Sequence, residues 1–197
     1  ALQRALDGRP QGFRSVQLPE ALTTVAREEL DACLFQRQRT LEMQFSFGAA
    51  KHGQKRRIRT PECFPACLAL MREAERAFGL DGQDVERVQV MCRQYAPTQG
   101  LRLHIDDTEM FEEPVLSAVL RVGPGDGLVL RKPDVPWNDE ASAAVAEQPG
   151  LAACLEGPAR YEFGHEVPPV SEPRLSLTWR WFKPDFLEQL PERARPK

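Results

Sequence analysis

Residues 174–181, Arg174-Leu175-Ser176-Leu177-Thr178-Trp179-Arg180-Trp181, constrain the fold more than any other segment of this 197-residue chain. Arg174, Ser176, Thr178 and Arg180 share one parity, and Leu175, Leu177, Trp179 and Trp181 share the other. Period-two alternation of this kind marks a half-buried strand. The apolar face packs on a core. The opposite face carries two guanidiniums and two hydroxyls, and a buried cationic face is costly unless an anion sits against it. The rival reading places Arg174 and Arg180 on a solvated outer face, with both tryptophans turned inward on an ordinary sheet.

The anion has a chemical context upstream. The chain has three histidines, His52, His104 and His165, and two of them join Asp106 in the order His104-Ile105-Asp106 … His165 … Arg174. Residues i and i+2 of a strand point to one face, so His104 and Asp106 can reach one metal from a single strand. His165 must come from a distant strand folded alongside. Two imidazoles and one carboxylate are the donor set of a non-haem Fe(II) site with open positions. An arginine shortly after the second histidine suits a dicarboxylate co-substrate, because guanidinium and carboxylate match as a two-point pair. The set points to an oxygenase that consumes 2-oxoglutarate. His-x-Asp alone is weak evidence and also describes a surface histidine beside a turn carboxylate; the ordered set carries the inference.

Four motifs carry a family resemblance over roughly residues 41–182: Gln94-Tyr95-Ala96-Pro97, then His104-Ile105-Asp106-Asp107, then Gly157-Pro158-Ala159-Arg160-Tyr161-Glu162-Phe163-Gly164-His165-Glu166-Val167, then Arg174 to Arg180. The chain resembles the AlkB family of Fe(II)/2-oxoglutarate dioxygenases, and the stretch 159–167 is similar to the mitochondrial animal AlkB homologue. The resemblance implies an α+β fold with a double-stranded β-helix (jelly-roll) core of two sheets and N-terminal buttressing helices. It implies His104, Asp106 and His165 as iron ligands and the catalytic centre. It implies Arg174 as partner of the distal carboxylate of 2-oxoglutarate, with Tyr95, Ser176 and Arg180 as further co-substrate contacts. Ser176 matches the mitochondrial subgroup. Two positions depart from the pattern: Arg93 stands where the bacterial enzyme has an Asn that contacts 2-oxoglutarate, and Gln44-Phe45-Ser46-Phe47 supplies phenylalanines where the family often has a tyrosine.

The length fits one domain, expected over residues 1–183, with a substrate-side strand and basic hairpin at 41–60, a β-helix core at 86–182 and a charged tail at 184–197. Helices are expected at 19–34, with Leu22, Val25, Leu30 and Leu34 on one side, and from Pro61 to Gly79, with Leu68, Met71, Ala74 and Phe78 on a stripe. Strands are expected at 41–48, 86–95, 101–105, 115–122, 127–131, 151–156, 159–167 and 173–182, and a surface loop, with room for a short helix, at 132–150. Five cysteines show neither a disulfide framework nor zinc-ligand spacing, which favours an intracellular, reducing compartment. No apolar run approaches a membrane span, and no signal peptide is visible, so no membrane partner is expected. The chain is expected as a monomer.

The site argument fixes a reaction type before it fixes a substrate. Lys51 to Arg59 packs five basic residues into nine in a chain of net charge −3. Such a patch can neutralise phosphates, or be a solvated basic loop. With Phe45, Phe47, Lys55, Arg56 and Arg57 on the substrate side, and Asp107 and Glu109 placed where nucleic-acid members contact the damaged base, the expectation is oxidative demethylation of N-alkylated DNA or RNA. The target base would have to leave its stack. The alternative is a hydroxylase or demethylase acting on a protein or other non-nucleic-acid substrate. A non-catalytic binding module ranks third, because the complete site inventory is present.

Overall fold

The computed structural model describes residues 9–33, 40–44, 63–80, 87–133, 135 and 142–189. Six strands form one sheet, in the spatial order β1 (Phe13–Gln17), β8 (Leu151–Leu155), β5 (Val115–Arg121), β10 (Arg174–Trp181), β3 (Val88–Tyr95) and β2 (Thr40–Gln44). Four form a second, in the order β4 (Leu101–His104), β9 (Gly164–Val167), β6 (Gly127–Arg131) and β7 (Ser142–Ala146). All pairings are antiparallel. Two antiparallel sheets with crossing connections make a jelly roll, the β-helix core expected from the sequence, with helices on one side.

β10 divides the molecule. Its apolar parity, Leu175, Leu177, Trp179 and Trp181, is buried in one cluster with Val88, Val90 and Cys92 of β3 and with helices α1 (Glu20–Cys33) and α2 (Pro65–Phe78). Its polar parity turns to the space between the sheets, where a second cluster contains Tyr95, Leu128, Leu130, Phe163 and Val167. The solvated-face reading of the two arginines therefore fails. Both tryptophans face the helices and both cations face the interior.

The helices are fastened as well as packed. Pro65 opens α2 at a position where its missing N–H costs nothing. The Glu29 carboxylate of α1 accepts from the backbone N–H groups of Ala66 (3.1 Å) and Cys67 (2.9 Å), satisfying donors the helix leaves open. Gly79 ends α2 at φ 74°, a left-handed conformation that glycine adopts without a Cβ penalty. The Trp179 indole N–H donates to Glu75 of α2 at 3.1 Å, and Arg72 donates to the same carboxylate at 2.7 Å.

Several expectations need correction. The buried face of α1 is Thr23, Ala26 and Leu30, while Val25 is 52% exposed. The helix packs chiefly against α2, which turns Thr23 and Ala26 inward in place of Leu22 and Val25. α2 begins at Pro65, and Leu68 is only half-buried. The stretch 159–167 is not one strand: helix α3 (Gly157–Tyr161) opens on Pro158, and β9 starts only at Gly164. The N–H groups of Glu162 and Phe163 both donate to the Pro158 carbonyl, which closes that turn before the strand begins. The loop expected at 132–150 contains β7, whose small residues hide its alternation; Ser142, Ala143 and Val145 are buried, Ala144 and Ala146 exposed. The tail segment begins with helix α4 (Pro184–Glu188), and its Leu187 packs with Phe111 and Phe182. β1 had no counterpart in the sequence reading; it is an edge strand on β8. The end of the 41–48 strand and the basic connection 49–60 lie outside the described residues.

Trp179 has no solvent exposure. Trp179→Ala is expected to lower unfolding stability by about 3–5 kcal/mol, through the cavity and the lost partner of Glu75. Val25→Ala should change it by about 0.5 kcal/mol or less. Urea titrations of the two variants beside the parent check both.

Candidate metal centre

β4 and β9 pair in antiparallel register with His104 directly opposite His165, and the imidazole centroids lie 4.3 Å apart. β4 ends at His104, so Asp106 reaches the site from the coil just beyond the strand. One donor atom from each of His104, Asp106 and His165 lies within 4.8 Å of the others, and Asp106 Oδ2 stands 3.8 Å from His165 Nε2. That carboxylate oxygen is buried and has no hydrogen-bond partner. A buried, unpartnered anionic oxygen is costly alone, and a cation shared with two imidazoles satisfies it. The residues fit a divalent metal.

Both imidazoles are held neutral, the form that binds metal. Burial pushes His104 below its ordinary value, helped by the nearby charges of Arg93 and Arg180. Burial, then His104, Arg160 and Arg93, push His165 down to about 3. His104 Nδ1 lies 3.0 Å from the Arg102 carbonyl. A proton on Nδ1 donates there and leaves Nε2 as the free donor.

Two arginines hold Asp106 from other sides. Arg180 contacts Asp106 Oδ1 through Nη1, donates from Nε to Gln89 at 3.0 Å, and lies 4.0 Å over the Phe111 ring. Arg160, buried at the end of α3, donates to the backbone carbonyls of Asp106 (2.9 Å) and Asp107 (3.1 Å). It fastens the turn after β4 to the helix before β9, and so sets the spacing between two of the three donors. Sequence reasoning assigned Arg160 no role.

A cavity runs from these donors between the sheets. Its wall includes Tyr95, Arg174, Ser176 and Arg180, the four residues expected to contact the co-substrate. Arg174 is fully oriented. Its Nε and Nη2 donate to the two oxygens of Glu147 at 2.8 and 2.9 Å, and its Nη1 donates to Ser176 Oγ at 2.9 Å. Arg174 and Glu147 side chains are 4% and 5% exposed. Glu147 does not line the cavity, and with all three nitrogens engaged Arg174 keeps one further N–H on each Nη for a ligand. The sequence reading missed Glu147, in the segment read as a loop. The signal available was the cationic strand face itself, which called for a counter-charge.

The substrate-side expectations fare differently. Asp107 is exposed and spends Oδ1 on the N–H groups of Glu109 and Met110, each at 2.9 Å. Neither Asp107 nor Glu109 lines the cavity. Phe45, Phe47, Lys55, Arg56 and Arg57 lie outside the described residues. Arg93 does line the cavity, beside both histidines and Tyr95.

The depressed histidine pKa values carry a linkage consequence. Below the ordinary value of 6.5 the unfolded chain takes up protons that His165 refuses until about 3. The unfolded state then binds more protons, so metal-free stability falls as pH drops through this window. His165→Asn should flatten that loss while leaving the carboxylate part; urea midpoints at pH 7 and pH 4 for both proteins measure it.

No family model and no curated protein matches the sequence. Among solved structures, the chain is similar to a Pseudomonas putida prolyl-4-hydroxylase, with a TM-score of 0.56 and 17% identity over 87% of this chain and 93% of that one. At that identity the likeness is one of fold: the two-sheet architecture built here around His104, Asp106 and His165 has a solved counterpart over nearly its full length.

Proposed function

We propose that this protein is an Fe(II)- and 2-oxoglutarate-dependent dioxygenase. The observation that carries the reading is the pairing of two features across one cavity. At one end the His104 and His165 imidazoles converge with Asp106, whose buried Oδ2 is unpartnered; in the same wall Arg174 is pre-oriented by Glu147 and Ser176, with one N–H on each Nη still to donate. The similar fold of a prolyl-4-hydroxylase agrees with it.

In this reading His104 Nε2, His165 and Asp106 Oδ2 hold the metal, and Arg174 takes the distal carboxylate of 2-oxoglutarate with Ser176 and Tyr95 beside it. When bound, iron and 2-oxoglutarate supply the oxidation, consuming O2 and releasing succinate and CO2. The chain supplies position. Glu147 and Ser176 stop Arg174 from rotating, so little orientational freedom is lost on binding. Arg180 and Arg160 keep Asp106 turned to the metal, and the apolar walls Leu128, Leu155 and Val167 keep bulk water out.

For the acceptor, two readings compete. Demethylation of an N-alkylated nucleic-acid base rests on the AlkB-like motifs and on the basic segment 51–59, which is outside the described residues. Hydroxylation or demethylation of a non-nucleic-acid substrate is favoured here. Asp107 and Glu109, the acidic residues a damaged base would meet, do not line the cavity, and the name of the similar structure denotes a hydroxylase. No helix among the described residues is long and apolar enough to cross a membrane.

Succinate formation from 2-oxoglutarate with Fe(II) and ascorbate is the expected activity. His165→Ala and Asp106→Ala should abolish it together with the rise in melting temperature that Mn(II) gives the parent protein; parent protein without succinate formation overturns the reading. Arg174→Ala should raise the 2-oxoglutarate Kd by about 100-fold, and Glu147→Gln by about tenfold, the range of one to two charge-assisted hydrogen bonds. Calorimetry with Mn(II) in place of iron reads both, and Mn(II) affinity itself should hardly move in either variant.

A further inference from the structure

Arg93 lies on β3 opposite Ser176 of β10, and with Met91 and Tyr95, its neighbours of like parity, it lines the cavity. The cavity wall thus holds three guanidiniums, and two are accounted for. Arg174 is matched by Glu147, and Arg180 by Asp106. Among the residues whose side chains are described, which do not include Glu42 of the neighbouring β2, no carboxylate pairs with Arg93. It is half-buried, and its charge acts on His104, His165 and the Tyr95 phenol, which places it beside the metal donors rather than at the rim.

Loading the site does not cancel this charge. A divalent metal is balanced by doubly charged 2-oxoglutarate, and the two salt-bridged pairs are neutral in themselves. One positive charge, that of Arg93, remains in the cavity wall among the described side chains. In a half-desolvated cavity such a cation attracts an anion and repels a cation far more strongly than on the surface. We infer that Arg93 forms an anion subsite for the oxidised substrate, so the substrate carries a carboxylate or phosphate close to the bond attacked. The inference rests on the dioxygenase reading and deepens it. It also explains why a base made cationic by alkylation on a ring nitrogen suits this cavity poorly: the only described carboxylate in the wall, Asp106, is committed to the metal and Arg180.

The test uses the protein loaded with Mn(II) and N-oxalylglycine, a non-reacting analogue of 2-oxoglutarate. Three probes of matched shape are added: benzoate, benzamide and benzylamine, as anion, neutral molecule and cation. Paramagnetic broadening of probe protons reports approach to the metal without turnover. Benzoate should half-saturate at about tenfold lower concentration than the other two, the effect of one charge-assisted hydrogen bond. Arg93→Gln should erase that preference, Arg93→Lys should keep part of it, and the N-oxalylglycine Kd by calorimetry should stay within about threefold in both. Equal broadening by all three probes in the parent protein overturns the subsite. So does an Arg93→Gln variant that loses N-oxalylglycine while keeping the benzoate preference, since Arg93 would then be a co-substrate contact. The parent and Arg93→Lys alone decide the matter if Arg93→Gln does not fold. Failure of the parent to bind Mn(II) at all overturns the metal reading, and the subsite with it.

Discussion

Strand β10 has to serve two incompatible environments at once, and the rest of the molecule is arranged around that demand. Its apolar parity needs a dry core deep enough for two tryptophans, which α1 and α2 supply. Its polar parity puts two guanidiniums between the sheets, where each needs an opposite charge. One finds Glu147, at the end of β7; the other finds Asp106, beyond β4. Both counter-charges come from the four-stranded sheet or its connections. The same ion pairs that make the cationic face tolerable therefore tie the sheets together across the cavity.

Asp106 is where structural and chemical demands meet. Its backbone carbonyl is held by Arg160, one side-chain oxygen by Arg180, and the other is left bare beside two neutral imidazoles. A protein tuned for stability alone would pair that last oxygen. Leaving it unpaired is a cost accepted for binding, since buried polar groups without partners concentrate where a ligand completes them.

Much of the site was legible in local pattern. The alternation from Arg174 to Trp181 is a strand signal in any context, and Gly79 marks the end of α2, although the proline that opens it is Pro65 and not Pro61. The misses share a cause. β7 reads Ser-Ala-Ala-Val-Ala, with alanine on both its buried and its exposed side, so its residue types do not mark its faces and only pairing with β6 decides them. Residues 159–167 carry β-forming side chains, yet Pro158 starts a helical turn that runs to Tyr161. The inward face of α1 is set by its packing against α2, a neighbour that local periodicity does not name.

The sequence by itself determined which chemistry is possible: two histidines, one aspartate and an arginine-bearing strand are donors and clamps whatever surrounds them, because ligand preference and strand periodicity belong to residue types and spacing. Tertiary structure decided how those groups are used. It chose Glu147 to orient Arg174 and Arg160 to hold the turn of Asp106, and it left Arg93 in the wall without a described carboxylate partner. The first two are contacts between positions 27 and 54 residues apart. Pairing of charges depends on burial and distance, and neither quantity exists until the two sheets have closed on each other.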